Sequence, residues 1–463
     1  MKYNNLSVAI ILSLACGVST FATANDLIQF NSGGFIKASE MNQNFNTLLS
    51  KIEANEVSQY VKSYDVDCTT DENALSTFMN NGYTDTFMVV NLSGDCEWSG
   101  FDINRDSMMF KGGALSPPDG GNVVIRMHNI GFMDTTINGG IHYDNGGGWL
   151  NNVAVSGVVV DGGANLAIEN MNAGLDMMVQ SNSRLWVSND TVFNDLYVMN
   201  NSSLNSGDSV TLTAQYVKLS NGGFIGGDNL IVPDEKLYVR RASSVSVTNI
   251  EAGKLKVGEN STVLAEKIDA NSAYVFAGGN ITADASLNVQ GELFVKSNGS
   301  VEGGSLESVS GEEIPASLHV GNINASLGGS VHFDTITSGE IFAFGNGAIA
   351  ANYINSSEEV WAERGGVIVA DIKLSAQTIS AYGLGSIEAQ SITNTSGIEN
   401  TSPAVNIWGY GAITVAKSTN DALNNAVCEN YDNGDVPIFF GFNDDTSTYD
   451  FPWLCNYDSP EVP

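Results

Sequence analysis

Basic residues are scarce. The 463-residue chain holds 19 Lys and Arg against 52 Asp and Glu, a formal net charge of -33. A nucleic-acid backbone needs clustered cations to release its counterions, so that partner class is excluded. Docking on anionic lipid is disfavoured on the same ground. Charged residues are only 15 % and hydrophobic ones 43 %, which excludes disorder driven by charge. Proline is rare, at 9 residues, and the 49 glycines follow no G-X-Y period, so collagen is excluded. Past the first 24 residues no run approaches 18 apolar positions, and no barrel-like strand pattern closes the chain. Membrane insertion is not expected. No G-x-S-x-G, H-E-x-x-H, P-loop or dinucleotide fingerprint occurs.

What is present begins with an export signal. Lys2, an apolar run from Leu6 to Phe21, and Ala22-Thr23-Ala24 have the pattern of a cleaved leader over 1–24. The expected location is periplasmic, cell-surface or secreted. Over 25–60 a helical segment is expected. Ser39 suits an N-cap, and Met41, Phe45, Leu48 and Ile52 follow at coiled-coil spacing. It either packs on the end of the following domain or joins copies into an oligomer. Four cysteines follow the leader: Cys68, Cys96, Cys428 and Cys455. An exported chain favours disulfides, and proximity pairs Cys68 with Cys96 and Cys428 with Cys455. Three pairings exist, and a metal site is the weaker reading because no CxxC occurs.

The dominant pattern is a repeat. Apolar anchors fall at Tyr143, Val160, Val179, Val198, Leu219, Val239, Val257, Val275, Val295, Val320, Ala343, Ala362, Ala381 and Ile407, with a mean step close to 20 residues. Two places before each anchor stands another apolar residue, as in Leu255, Leu293 and Ile341. Six places after it stands a third, except that in the Val320 unit Leu327 comes one place late. Alternate side chains of a strand share a face, so anchor and anchor-minus-two point inward together. Gly and Asn between them supply corners. A unit this short cannot bury its apolar face alone, and stacking does so. No 3.6-residue period supports a helical repeat. The expectation is an all-β, right-handed parallel β-helix of about 14–16 coils, since parallel crossovers are right-handed. At ~4.8 Å per coil, 14 coils make a rod of roughly 65 Å.

Ahead of the repeat, Val66-Asp67-Cys68 is expected to be a strand. Asp71 to Met79 is expected to form a capping helix with Leu75 and Phe78 inward. Phe87 to Leu92 returns as a strand before Ser93-Gly94-Asp95-Cys96. This beginning resembles that of exported bacterial right-handed β-helix proteins of the pectin-lyase-like superfamily, over about 61–420. The resemblance implies a cap over 61–100 and a β-helix over 101–420; beyond it, 421–463 with the Cys428–Cys455 pair is expected to be a C-terminal cap. It also implies polysaccharide chemistry. Polygalacturonase-like Asn-Thr-Asp, Asp-Asp, Gly-His-Gly and Arg-x-Lys motifs are absent in that order.

Positions flanking each anchor must point outward. Before it stand His142, Tyr197, Tyr238, Tyr274, Phe294, His319, Phe342 and Trp361; after it stand Phe276, Phe344, Tyr382 and Trp408. Tyr197, Tyr238, Tyr274, Phe294, Phe342 and Trp361 are the candidate binding residues, as platforms for sugar rings or a protein chain. Simple ladder stacking, or cover by a terminal arm, is the alternative. Asp144, Asp161, Asp176 and Asp195 occupy outward positions on early coils, near His142, Lys218 and Arg240. Stacked carboxylates could hold Ca²⁺ or share a raised pKa, and a pectate-lyase-like site would join them to Arg240 as base. A solvated acidic face is the plainer account. Asp432-Asn433-Gly434-Asp435 is explained by a turn. The expected function is a non-enzymatic exported surface protein for adhesion, matrix association or glycan binding, with no cofactor. Its partner would be an extracellular polysaccharide or surface protein. The rival is a polysaccharide lyase or glycoside hydrolase on the early coils.

Overall fold

A computed structural model of the protein describes residues 61–81, 87–100, 103, 105–171, 174–307, 313–393, 404–408, 411–416, 438–443 and 448–450. The expected leader, the 25–60 segment, and the Cys428–Cys455 pair lie outside these residues. So does the oligomerisation expected through the 25–60 helix. The chain divides into Met1–Lys62 and Ser63–Pro463. The second unit is a parallel β-solenoid of about 15 turns.

Each coil carries three short strand segments. In the coil after Ser243 they are Ser244–Val247, Asn249–Ala252 and Lys254–Gly258, and each pairs in parallel with its counterpart in the next coil. We term these the first, second and third faces. Val245 and Val247, Ile250 and Ala252, and Leu255 and Val257 are buried. Alternation places these side chains inside and their neighbours outside. Among the described residues, the inward pairs of the third face, such as Ile141/Tyr143, Leu196/Val198, Leu293/Val295 and Ile379/Ala381, are buried to 1 % exposure or less. Among the described residues, no helix is long and apolar enough to cross a membrane.

The corner from third to first face turns, in most coils, on two successive left-handed residues. Glu259 and Asn260 adopt φ of 55° and 60°; in the next coil Ala277 and Gly278 adopt 50° and 74°. The residue after them must be small. A Cβ on Gly279 would lie 2.5 Å from the Val257 carbonyl oxygen. Where serine fills this column instead, it bonds along the stack, as when Ser243 N–H donates to Ser261 Oγ at 3.2 Å.

One coil departs from the sequence reading. Leu318 and Val320 lie on the second face, in register with Leu287 and Val289. The third-face pair of that coil is Ile323 and Ala325, aligned with Leu293 and Val295 on one side and Ile341 and Ala343 on the other. An antiparallel hairpin, Ser305–Glu307 with Glu313–Pro315, lengthens this coil before its second face. The anchor at Val320 is therefore corrected to Ala325. Six places on stands Val331, which is 1 % exposed, so the six-residue rule holds there after all. Leu327 is a left-handed corner residue, φ 51°, and 59 % exposed.

The N-terminal end is closed by the helix Ala74–Met79, whose buried residues are Leu75 and Met79. Phe78 packs partly, its ring 5.3 Å from that of Tyr64. Below the helix, Trp98, Phe110 and Phe132 stack with centroid spacings of 4.8 and 5.2 Å. Tyr143 is fully buried and donates its hydroxyl to the Ile130 carbonyl at 3.0 Å; burial drives its pKa well up. Cys68 and Cys96 form the expected disulfide, 28 residues apart in sequence.

Closing a loop of that length contributes about 3.5 kcal/mol in the chain-entropy model. Replacing both cysteines by Ala should lower the denaturant midpoint of the N-terminal coils accordingly, read through Trp98 fluorescence. An unchanged midpoint would show that the capping helix and the aromatic stack hold that end unaided.

Candidate functional site

The third face presents one outward column along the whole solenoid. It runs Val124, His142, Val159, Met178, Tyr197, Lys218, Tyr238, Lys256, Tyr274, Phe294, Asn324, Phe342, Trp361, Ser380 and Asn406, each the register partner of the next. All six candidate aromatics occupy this column, and all six are half-buried. They do not form an unbroken ladder. Lys218 and Lys256 alternate with tyrosines, and Asn324 separates Phe294 from Phe342. His319 is not on this face: it lies on the second, beside an open depression of about 380 Å³ lined by Thr337, Ser338, Asn355 and Ser356.

Ring contacts divide the column in two. In the middle coils cations sit over tyrosines: Arg240 is 5.3 Å from the Tyr238 centroid, and Lys254 and Lys256 are 4.6 and 5.5 Å from that of Tyr274. Such contacts stabilise a cation that has no carboxylate beside it. Tyr274 stacks on Phe294 at 5.2 Å and 15°. In the distal coils Phe342, Trp361 and Tyr382 meet at tilted angles, with spacings of 5.8 and 4.9 Å.

The early carboxylates do not converge. Asp144 and Asp161 are register partners at the end of their strands. Asp176 and Asp195 stand at the start of theirs, where their aligned neighbours are Gly157 and Tyr216. The outward column runs between the two pairs. Arg240 is four coils beyond Asp161, ~19 Å at ~4.8 Å per coil. Asp144 accepts from Arg126 Nε at 3.0 Å. Burial raises the Asp161 pKa, but hydrogen bonds from Ser181, Gly162 N–H and Gln180, with His142 nearby, outweigh it and hold the carboxyl low. Asp195 accepts from the Tyr197 hydroxyl at 3.0 Å. Desolvation, then that carboxylate, push the Tyr197 phenol up to about 12, so it remains a donor. Among the described residues, no three His, Cys, Asp or Glu side chains are grouped to hold a metal ion.

Sequence reasoning passed over Lys236, Lys254, Lys256 and Tyr216. The signal was available: 218–256 contains six Lys or Arg against four Asp or Glu, in a chain of opposite overall sign. Of the five buried polar atoms without a partner among the described residues, three belong to this face: His142 Nε2, Arg240 Nε and Trp361 Nε1.

Carboxylates flank the distal rings. Partial desolvation, then Glu358 and Glu359, raise the pKa of Glu340. A carboxyl whose folded pKa is raised takes its proton more readily when folded. Its favourable contribution is present at low pH and is lost as pH rises through the folded value. Glu340→Gln should therefore melt at higher temperature than the unmodified protein at pH 7. The difference should vanish below about pH 4, where the carboxyl is protonated in both states. Equal melting temperatures at pH 7 would remove this repulsion from the account.

No protein-family model, curated protein or solved structure matches the chain, and the parallel β-solenoid rests on its own register and burial.

Proposed function

We propose that the protein is an exported, non-enzymatic β-solenoid of the pectin-lyase-like kind, acting by its third face in adhesion, matrix association or glycan binding. The observation that carries this reading is the distal aromatic cluster. Phe342, Trp361 and Tyr382 lie on successive coils of a regular outward surface, their rings half-buried and each within 6 Å of the next. Rings held at coil spacing offer a platform for the apolar faces of sugar rings, and half-burial fixes their orientation before a ligand arrives. The early carboxylates support the non-enzymatic side of the reading. Asp144, Asp161 and Asp195 already accept hydrogen bonds, and the one resolved shift, at Asp161, is downward, opposite to what a general acid needs.

The test is retention of the purified chain on immobilised neutral and acidic polysaccharides, with new reducing ends or unsaturated products scored in parallel. Phe342→Ala combined with Trp361→Ala removes the platform but no inward side chain, so circular dichroism should be unchanged. The expected outcome is retention that falls at least tenfold in the double variant and no product in either protein. Undiminished retention would remove the distal rings from the proposal. Accumulating product would favour a lyase or hydrolase.

A further inference from the structure

The charges of the third face are arranged in two adjoining blocks. Along the coils of His142, Val159, Met178 and Tyr197 the strand edges carry four carboxylates, Asp144 to Asp195. Along the next coils, those of Lys218, Tyr238 and Lys256, they carry five cations and reach Tyr274, with Asp234 and Glu235 just ahead of Lys236 at the margin of the strip. Among the described residues none of these five cations is in an ion pair, in a chain with 52 carboxylates. Burial, then Lys254 and Lys236, depress the Lys256 pKa.

We propose that this half of the third face is a self-complementary docking surface for a second copy of the chain, laid antiparallel and face to face. The two-fold axis runs along the strands, between the coils of Tyr197 and Lys218. It reverses the coil order and keeps each position along the strand. The coil of Asp195 then meets that of Lys218. Asp176 lies opposite Lys236, both at the third place before their anchors. The coil of Asp161 meets that of Lys254 and Lys256, and there Gly157 and Val159 leave room for two lysine side chains. Every acidic coil faces a cationic or aromatic one, twice over. A parallel arrangement would set carboxylate on carboxylate.

The dimensions fit. Eight coils at ~4.8 Å and a five-residue strand at ~3.3 Å per residue give a footprint of about 600 Å² per copy. The total of about 1,200 Å² is at the lower end for specific interfaces. Tyrosines stand at the centre, as such interfaces favour. The distal rings from Phe342 onward remain uncovered, so this inference and the proposed ligand platform stand or fall separately.

Sedimentation velocity on the full chain tests the proposal. At 50 mM NaCl and micromolar concentration the mass should be that of two copies. At 1 M NaCl, where the screening length is ~3 Å, it should fall toward one. Asp176→Lys with Asp195→Lys reverses the carboxylates on the two coils next to the axis; Lys218→Glu with Lys236→Glu reverses two of the cations that face them. Each variant alone should dimerise at least tenfold more weakly, with circular dichroism unchanged. Mixed in equal amounts, the two should form dimers containing one copy of each. A wild-type monomer at both salt concentrations overturns the proposal, as does a dimer insensitive to both reversals or a mixture that stays monomeric. Retention of the monomer on alginate, lost with Lys218→Glu and Lys236→Glu, would give the cations to an anionic glycan instead.

Discussion

The coil-to-coil hydrogen-bond register is the constraint on which the rest depends. Parallel pairing places each residue over its counterpart one coil back, so the solenoid becomes a set of columns. Side-chain period is 2 along the strand, and a slip of one residue would turn Leu255 and Val257 outward and Lys256 inward. The corner fixes the register. Two left-handed residues followed by glycine or serine bring the chain to its next strand in one phase, as at Ala277, Gly278 and Gly279. An insertion can be accepted only if it leaves and re-enters at the same phase. The hairpin over 305–315 does this, and Ile323 and Ala325 still sit on Leu293 and Val295.

Much of this was legible in the sequence because inward columns are chemically monotonous. A short apolar unit repeated near 20 residues admits few other folds, and the Cys68–Cys96 pair follows from proximity. The misplaced anchor at Val320 has a physical cause. Leu318-His319-Val320 has the same apolar, polar, apolar pattern as Ile323-Asn324-Ala325, because both are strands with alternate residues inside. Pattern alone cannot tell one face from another; the corner can, and Leu327-Gly328 marks it with positive φ. The aromatic column was found for the same reason that the cations were missed. Rings at the place before the anchor form a conspicuous series, whereas Lys236 and Lys254 stand two places further back, where the carboxylates Asp176 and Asp195 stand on other coils.

Column stacking also makes electrostatics unusually strict. Identical charges on successive coils are only ~4.8 Å apart. In the middle coils tyrosine separates lysines in the outward column, and Tyr274 receives both Lys254 and Lys256 over its ring. That interleaving lets cations gather on successive coils with none of them in an ion pair among the described residues. The distal coils do the reverse: Glu358 and Glu359 crowd Glu340, and partial desolvation, with their repulsion added, raises its pKa. A chain of net charge -33 has few cations to spare, so their concentration on one strip of one face is not a consequence of composition.

The division of labour in the coil follows. Inward columns and corners determine whether a coil forms at all, and outward columns contribute little to that decision. Outward residues can therefore change chemistry along the axis without disturbing the fold. Along the third face the chemistry changes twice, from carboxylates to cations with tyrosines, then to rings flanked by glutamates. An active-site cleft would need long loops rising on both sides of such a strip. The hairpin over 305–315 instead leaves its coil before the second face, away from both the early carboxylates and the third-face column. On the proposed readings the partner lies along several coils at once, a second solenoid or an extended polymer, and binding to either would draw on many modest contacts rather than one enclosed site.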